Sequence, residues 1–112
     1  MPRIDNAFFG SVSIDGKKYD YDLVISWDGE ITEKDRRHNF TKSELMDILM
    51  KEPDVVIIGT GFAGNVKIDP DAEIFAKIEG IDLMTLPTPI AISEFNKLSK
   101  RKKTVAVLHI TC

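Results

Sequence analysis

The spacing of hydrophobic and polar positions changes about a third of the way along the chain. In the first part the period is two. Ser11-Val12-Ser13-Ile14 alternates, and in Leu23-Val24-Ile25-Ser26-Trp27 the residues Leu23, Ile25 and Trp27 share a face, as in a half-buried strand. Asp15-Gly16 lies between these runs and signals a tight hairpin, because glycine accepts the positive φ of a type I′ turn. The spacing predicts a partner strand from near Lys17 through Trp27, ended by the Asp28-Gly29 turn. From Thr32 to Asn39, Glu33-Lys34-Asp35-Arg36-Arg37-His38 carries no apolar period and reads as an exposed loop.

Helical spacing takes over at residue 41. Thr41-Lys42-Ser43-Glu44 is a capping box, in which the threonine oxygen accepts an early helical amide and the glutamate reaches back to the cap amide. Leu45, Ile48 and Leu49 form the inner stripe of the helix that follows, and Glu52-Pro53 ends it. Asp54-Val55-Val56-Ile57-Ile58 suits a strand buried on both faces. Asp69-Pro70 starts a second helix, with Ala72, Phe75 and Ile78 inward and Gly80 as its left-handed terminus. Ile81 to Leu86 is the next strand, and a third helix runs from about Pro89 to Ser99. Its inner stripe is Ala91, Ile92, Phe95, Leu98 and Ser99, and Thr104 to Ile110 is the last strand.

These elements predict a mixed α/β fold in one layered domain over residues 1–112. An antiparallel β-hairpin and strands, about residues 4–31, pack with an α-β-α-β-α-β part, about residues 41–112, that contains a parallel βαβαβ unit. The amino-terminal strands either extend the parallel sheet or cross it as a second layer, and the sequence leaves both open.

Composition narrows the function. A chain of 112 residues closes around one core and has no room for separate cofactor and substrate domains. No apolar run approaches the roughly 18 residues that cross a bilayer, and the amino terminus lacks the pattern of a secretory or mitochondrial leader. The expectation is a soluble, cytoplasmic protein with no membrane partner. A net charge of −3 gives no field for nucleic acid. Lys100-Arg101-Lys102-Lys103 follows a helix, where cations favour the negative end of the dipole, and no aromatic is interleaved there to stack on bases. The single cysteine, Cys112, excludes an intramolecular disulfide and a cysteine-rich zinc cage.

Gly59-Thr60-Gly61-Phe62-Ala63-Gly64 matches the dinucleotide fingerprint letter for letter and follows a strand. A phosphate site also needs a helix that opens at the turn, so that free amides face the anion. Here Asn65-Val66-Lys67-Ile68 alternates instead, and the helix is capped only at Asp69. The end of the following strand, Met84-Thr85-Leu86-Pro87, offers no acid for a ribose. No Gly-Lys-Ser or Gly-Lys-Thr follows the turn. We therefore expect no cofactor, and read the glycines as backbone devices.

A ligand of an open α/β sheet sits beyond the carboxyl ends of the parallel strands. The candidate cleft there comprises Gly59, Thr60, Gly61, Phe62, Asn65, Thr88, Asn96, His109 and Cys112, with Thr111 nearby and Phe62 and Phe95 as an apolar wall. His109 reads as a hydrogen-bonded structural histidine, its alternative being a proton-transfer group. His109 and Cys112 have opposite strand parity, so a catalytic pair needs a bend after Ile110. His38 is remote in sequence, which leaves a metal without enough ligands. No residue is assigned as catalytic, and no carboxylate pair stands out.

Ile57-Ile58-Gly59-Thr60-Gly61, then Thr88, Ala91, Phe95, Asn96 and Leu98, and the ending His109-Ile110-Thr111-Cys112 resemble a known family. It is the family of small α/β proteins that includes the animal adipogenesis-associated protein, archaeal proteins of unassigned function and, more distantly, mitochondrial respiratory complex I assembly factor 3. The resemblance runs from about Phe9 to the end, and is nearest to the archaeal branch. It implies a layered fold with no established activity or cofactor. Phe95 stands where relatives often carry tyrosine. The leading expectation is a non-enzymatic module that binds a protein partner or pairs as a homodimer. The alternative is a small-molecule-binding protein or enzyme that uses the cleft.

Overall fold

The computed structural model describes residues 2–111. Five strands open the chain: β1 (Ile4–Phe8), β2 (Ser11–Ile14), β3 (Lys17–Tyr19), β4 (Leu23–Ser26) and β5 (Ile31–Glu33). Then come β6 (Asn39–Phe40), α1 (Lys42–Ile48) with a 3-10 turn over Leu49–Lys51, β7 (Val55–Gly59) and β8 (Lys67–Ile68). The chain closes with α2 (Pro70–Ile78), β9 (Asp82–Leu86), α3 (Thr88–Leu98) and β10 (Thr104–Leu108).

The central sheet has the order β5-β4-β10-β7-β9. Strands β10, β7 and β9 are parallel as expected, whereas β4 runs antiparallel to β10 and β5 antiparallel to β4. The amino-terminal strands do both things the sequence allowed. β4 and β5 extend the sheet, while β1, β2 and β3 form a separate antiparallel sheet. The β2–β3 turn has positive φ at both Asp15 and Gly16, as a type I′ hairpin requires.

Strand alternation sorts the core into two layers. Val55 and Ile57 of β7, with Ala106 and Leu108 of β10, face a cluster that includes Ile4, Val12, Ile14, Ala91 and Phe95. This layer joins α3 to the small sheet. Val56, Ile58, Val105 and Val107 face the other way, onto Leu45 and Ile48 of α1 and Ala72 and Ala76 of α2. Burial on both faces explains why β7 and β10 are continuous β-branched and apolar runs.

Four expectations need correction. The inner stripe of α2 is Ala72 and Ala76, one turn apart, so Phe75 is only half-buried at its side and Ile78, predicted inward, is 73% exposed. The strand predicted from Lys17 to Trp27 breaks at Asp20-Tyr21-Asp22, so β3 and β4 belong to different sheets. Trp27 does not share the face of Leu23 and Ile25. β4 ends at Ser26, and the indole packs with the α1–α2 layer, its N–H donating to the Lys51 carbonyl at 3.0 Å. The segment from Thr32 to Asn39 is not all loop. It begins in β5, and Asn39–Phe40 pairs in parallel with Lys67–Ile68, where a ladder supplies partners that local charge patterning does not reveal.

The start of α1 follows its cap, whereas Asp69 precedes α2 without a side-chain cap bond. Thr41 and Glu44 make both bonds of the capping box. Pro70 occupies the first position of α2, and Gly80, with φ of 71°, closes that helix.

Candidate functional site

The carboxyl ends of β7, β9 and β10 do converge, and a single hydroxyl ties them together. Thr88 is fully buried. Its Oγ1 accepts the Gly61 amide at 2.9 Å and donates to the His109 carbonyl at 2.7 Å. The Thr60 amide donates to the Leu86 carbonyl at 2.8 Å, and the His109 amide to the Gly59 carbonyl at 3.1 Å. A β-carbon on Gly59 would lie 3.1 Å from Thr88 Oγ1 and 3.3 Å from the Val107 carbonyl oxygen, so the glycine there serves close approach. Gly61 and Gly64 have positive φ, of 99° and 70°. The amides of Thr60 and Gly61 are therefore spent inside the fold, and α2 opens only at Pro70. The fingerprint lacks both parts of a phosphate cradle.

The other side of this rim holds an arrangement that the sequence did not disclose. Leu23 pairs with Leu108 in the antiparallel β4–β10 ladder, so Asp22 falls just past the end of β10. Its carboxylate is fully buried. One oxygen lies 2.6 Å from His109 Nδ1, the other accepts the Ile110 amide at 2.8 Å, and the Thr111 hydroxyl is 3.3 Å from both. A carboxylate can only accept, so the bond puts a proton on Nδ1 and fixes the ring with Nε2 turned away from Asp22. That Nε2 is buried and has no hydrogen-bond partner among the described residues. The exposed residue His38 sets its ring edge-on to His109, centroids 5.1 Å apart, because the His38 carbonyl takes the Lys67 amide in the β6–β8 pairing. Two histidines distant in sequence are thus neighbours. Among the described residues no group of three or more His, Cys, Asp or Glu is placed to hold a metal.

The remaining predicted residues scatter. Phe62 is half-buried on the glycine loop and Asn65 is exposed. Asn96 lies eight residues along α3 from Thr88, roughly 12 Å at the helical rise. There its amide clamps β1, accepting from the Ile4 N–H at 2.9 Å and donating to the Ile4 carbonyl at 2.8 Å. Phe95 is fully buried in the α3 layer, where it cannot wall a cleft. Cys112 lies outside the described residues. Three surface concavities, of about 290, 410 and 620 Å³, are lined by none of Gly59, Thr60, Thr88 or His109.

What lies over the rim is aromatic. The β1–β2 turn reaches it through the Gly10 amide, which donates to the Ile110 carbonyl at 2.7 Å. That turn carries Phe8 and Phe9, 66% and 72% exposed, and the Phe9 ring lies 6.5 Å from Phe62.

A layered α/β domain of this fold is found in other proteins. Residues 4–109 match the family described as proteins of unknown function (DUF498/DUF598), and the chain belongs to that family. A conserved hypothetical protein from Pyrococcus horikoshii OT3 is similar in structure, with 29% identity, a TM-score of 0.88, and 98% of this chain and 99% of that one covered. The protein MT938 is 28% identical, with a TM-score of 0.82 and full coverage of both chains. A Bordetella parapertussis protein shares the fold at 17% identity and a TM-score of 0.82, over 96% and 94% of the two chains. The resemblance to a family of small α/β proteins is borne out, with an archaeal structure among the similar ones. Among the described residues no helix is long and apolar enough to cross a membrane.

Proposed function

We propose that this domain is a non-enzymatic protein-binding module of the cytoplasm, and that its contact face is the aromatic rim. The observation that carries the reading is the pairing of exposed Phe9 with Phe62 beside the half of the rim where the Thr88 hydroxyl, the Gly61 amide and the His109 carbonyl are spent on one another. Large apolar side chains clustered at a surface mark interaction sites, and aromatics are enriched in the buried centre of interfaces. Ile90, 52% exposed in the first turn of α3, extends the apolar surface at the same end of the molecule. The reducing environment implied by a lone cysteine agrees with the cytoplasm.

A photo-crosslinking phenylalanine analogue at position 9 tests this in the producing cell. A discrete protein adduct is expected there and not from the same analogue at Lys18, which is exposed on β3. Remixed with the captured protein, Phe9→Ser should bind at least about tenfold more weakly, since truncating an interface anchor costs about 2 kcal/mol. Equal crosslinking from both positions, or unchanged affinity of Phe9→Ser, overturns the reading.

One observation favours a second reading, a small-molecule site. The buried Asp22–His109 pair with its unpartnered Nε2 has the form of an oriented proton acceptor. Chemical-shift mapping against a metabolite panel decides. Coincident movement of Thr60, Thr88 and His109 supports a ligand site, and a silent rim removes it.

A further inference from the structure

We propose that two copies of this chain pair through β9, joining their central sheets into one. β9 is an edge strand with β7 on one side only. The Asp82 amide donates to the Asp54 carbonyl, and the Leu86 carbonyl accepts from Thr60. Alternate residues of a parallel ladder address the same neighbour, so residues 82, 84 and 86 spend their backbone groups on β7. Leu83 and Thr85 then aim theirs outward, where the described residues supply no partner. The opposite edge is protected by shortness and charge, being the three-residue β5 that ends at Glu33 and is followed by Lys34. β9 has five residues, one charge at its first position and no proline before Pro87. It lacks the usual devices that keep an edge from pairing.

A second copy is the occupant that fits. Place a twofold axis at Met84, and Leu83 faces Thr85 of the other copy. Opposite residues of an antiparallel hydrogen-bonded pair exchange both N–H···O bonds, and these two residues are the ones with outward groups. Charge agrees with the same axis. The groove of about 410 Å³ beside β9 is lined by Glu73 and Lys77 of α2 as well as by Leu83 and Thr85. Neither charge is in an ion pair among the described residues. Glu73 and Lys77 are one helical turn apart, and the axis sets the two α2 helices antiparallel. Glu73 of each copy then meets Lys77 of the other, the self-complementary pattern of an isologous interface.

Sedimentation velocity over a concentration series tests this, with the full chain at low salt. The mass should rise from the 12.6 kDa of one chain towards twice that. Thr85→Pro removes an outward N–H, and should weaken association by at least about tenfold, the effect of roughly 1.4 kcal/mol. Circular dichroism checks that this variant folds. Glu73→Lys alone should weaken the dimer several-fold, and Glu73→Lys with Lys77→Glu should restore it. Both sites are on exposed helix, so this pair of variants keeps the test alive if Thr85→Pro does not fold. Phe9→Ser should leave self-association unchanged, which separates this proposal from the rim reading. A wild-type chain that stays monomeric overturns the proposal, as does a dimer indifferent to Thr85→Pro, or a charge swap that fails to restore what Glu73→Lys removes.

Discussion

The rim at the carboxyl ends of the parallel strands has two halves, both built by burying one polar side chain among backbone groups. On one half Thr88 bridges the Gly61 amide and the His109 carbonyl, and its hydroxyl is used both as acceptor and as donor. On the other, Asp22 gathers His109 Nδ1, the Ile110 amide and the Thr111 hydroxyl, yet the histidine keeps a buried nitrogen with no partner among the described residues. A saturated buried network stiffens a fold and offers nothing to a ligand. An unsatisfied one retains a group with chemistry left to do. The glycine motif sits on the saturated half, with the Thr60 and Gly61 amides turned into the fold rather than towards a phosphate.

The comparison predicts unequal costs for removing the two bridges. Asp22→Ala should be the more damaging, about 3–5 kcal/mol in denaturant unfolding, because it leaves two buried donors, the Ile110 amide and the His109 ring N–H, without an acceptor at up to about 3 kcal/mol each. It also leaves a void beneath β4. Asp22→Asn keeps one acceptor oxygen and should lose less. If Asp22→Ala unfolds no more easily than wild type, this half of the rim is not the fixed structure described.

Thr88→Val comes next. It preserves volume but orphans the Gly61 amide and the His109 carbonyl, at about 1–2 kcal/mol for each of these neutral buried groups. The expected sum is about 2–4 kcal/mol, with faster hydrogen exchange at Gly61 as the local signature. A near-neutral Thr88→Val would show that water replaces the hydroxyl, and that the rim is more open than the hydrogen bonds imply.

Much of this rim was legible in the sequence. Parallel strands inferred from period and length put Gly59, Thr88 and His109 at one end, because the carboxyl ends of such strands must align. Asp22 was not legible, since its contacts lie 87 to 89 residues away and depend on β4 joining the far side of β10. One signal was available: the alternation fails at Asp20-Tyr21-Asp22, immediately before an apolar strand, where a continuous hairpin strand should have kept it. His38 was hidden by its place in a charged stretch whose last residues pair with a two-residue strand. Asn96 was misplaced because helical spacing gives its face but not its partner, and only the path of β1 puts the Ile4 backbone beside it.

Gly59→Ala probes how tightly the saturated half is closed. The added methyl would meet Thr88 Oγ1 at 3.1 Å and the Leu108 side chain and Val107 carbonyl at 3.3 Å. Backbone cannot yield as a side-chain end does, so overpacking should cost about 1–3 kcal/mol. Combining it with Thr88→Ala should recover part of that loss, because one of the three contacts disappears. Strict additivity of the pair would show that the hydroxyl does not set the spacing.

The smallest effect belongs to an exposed pair that serves as the contrast to the buried carboxylate of Asp22. Asp28 binds Lys51 at 2.8 Å and accepts the Glu30 amide at 3.1 Å, and these bonds, the lysine first, hold its carboxyl below the ordinary 3.8. A folded-state value below the unfolded one means the stabilisation is present above pH 3.8 and is lost as pH falls through the lowered value. Lys51 is held above 10.5 by the same partner, so its share is present below pH 10.5 and is lost as pH rises through the raised value. Solvent screens a pair this exposed, and its contribution should be slight. The difference in Tm between wild type and Lys51→Met should therefore be small and flat from pH 5 to 9, and should narrow at the acid end as Asp28 takes up its proton. A difference that persists undiminished below the lowered value would assign the role of Lys51 to the packing of its stem rather than to its charge.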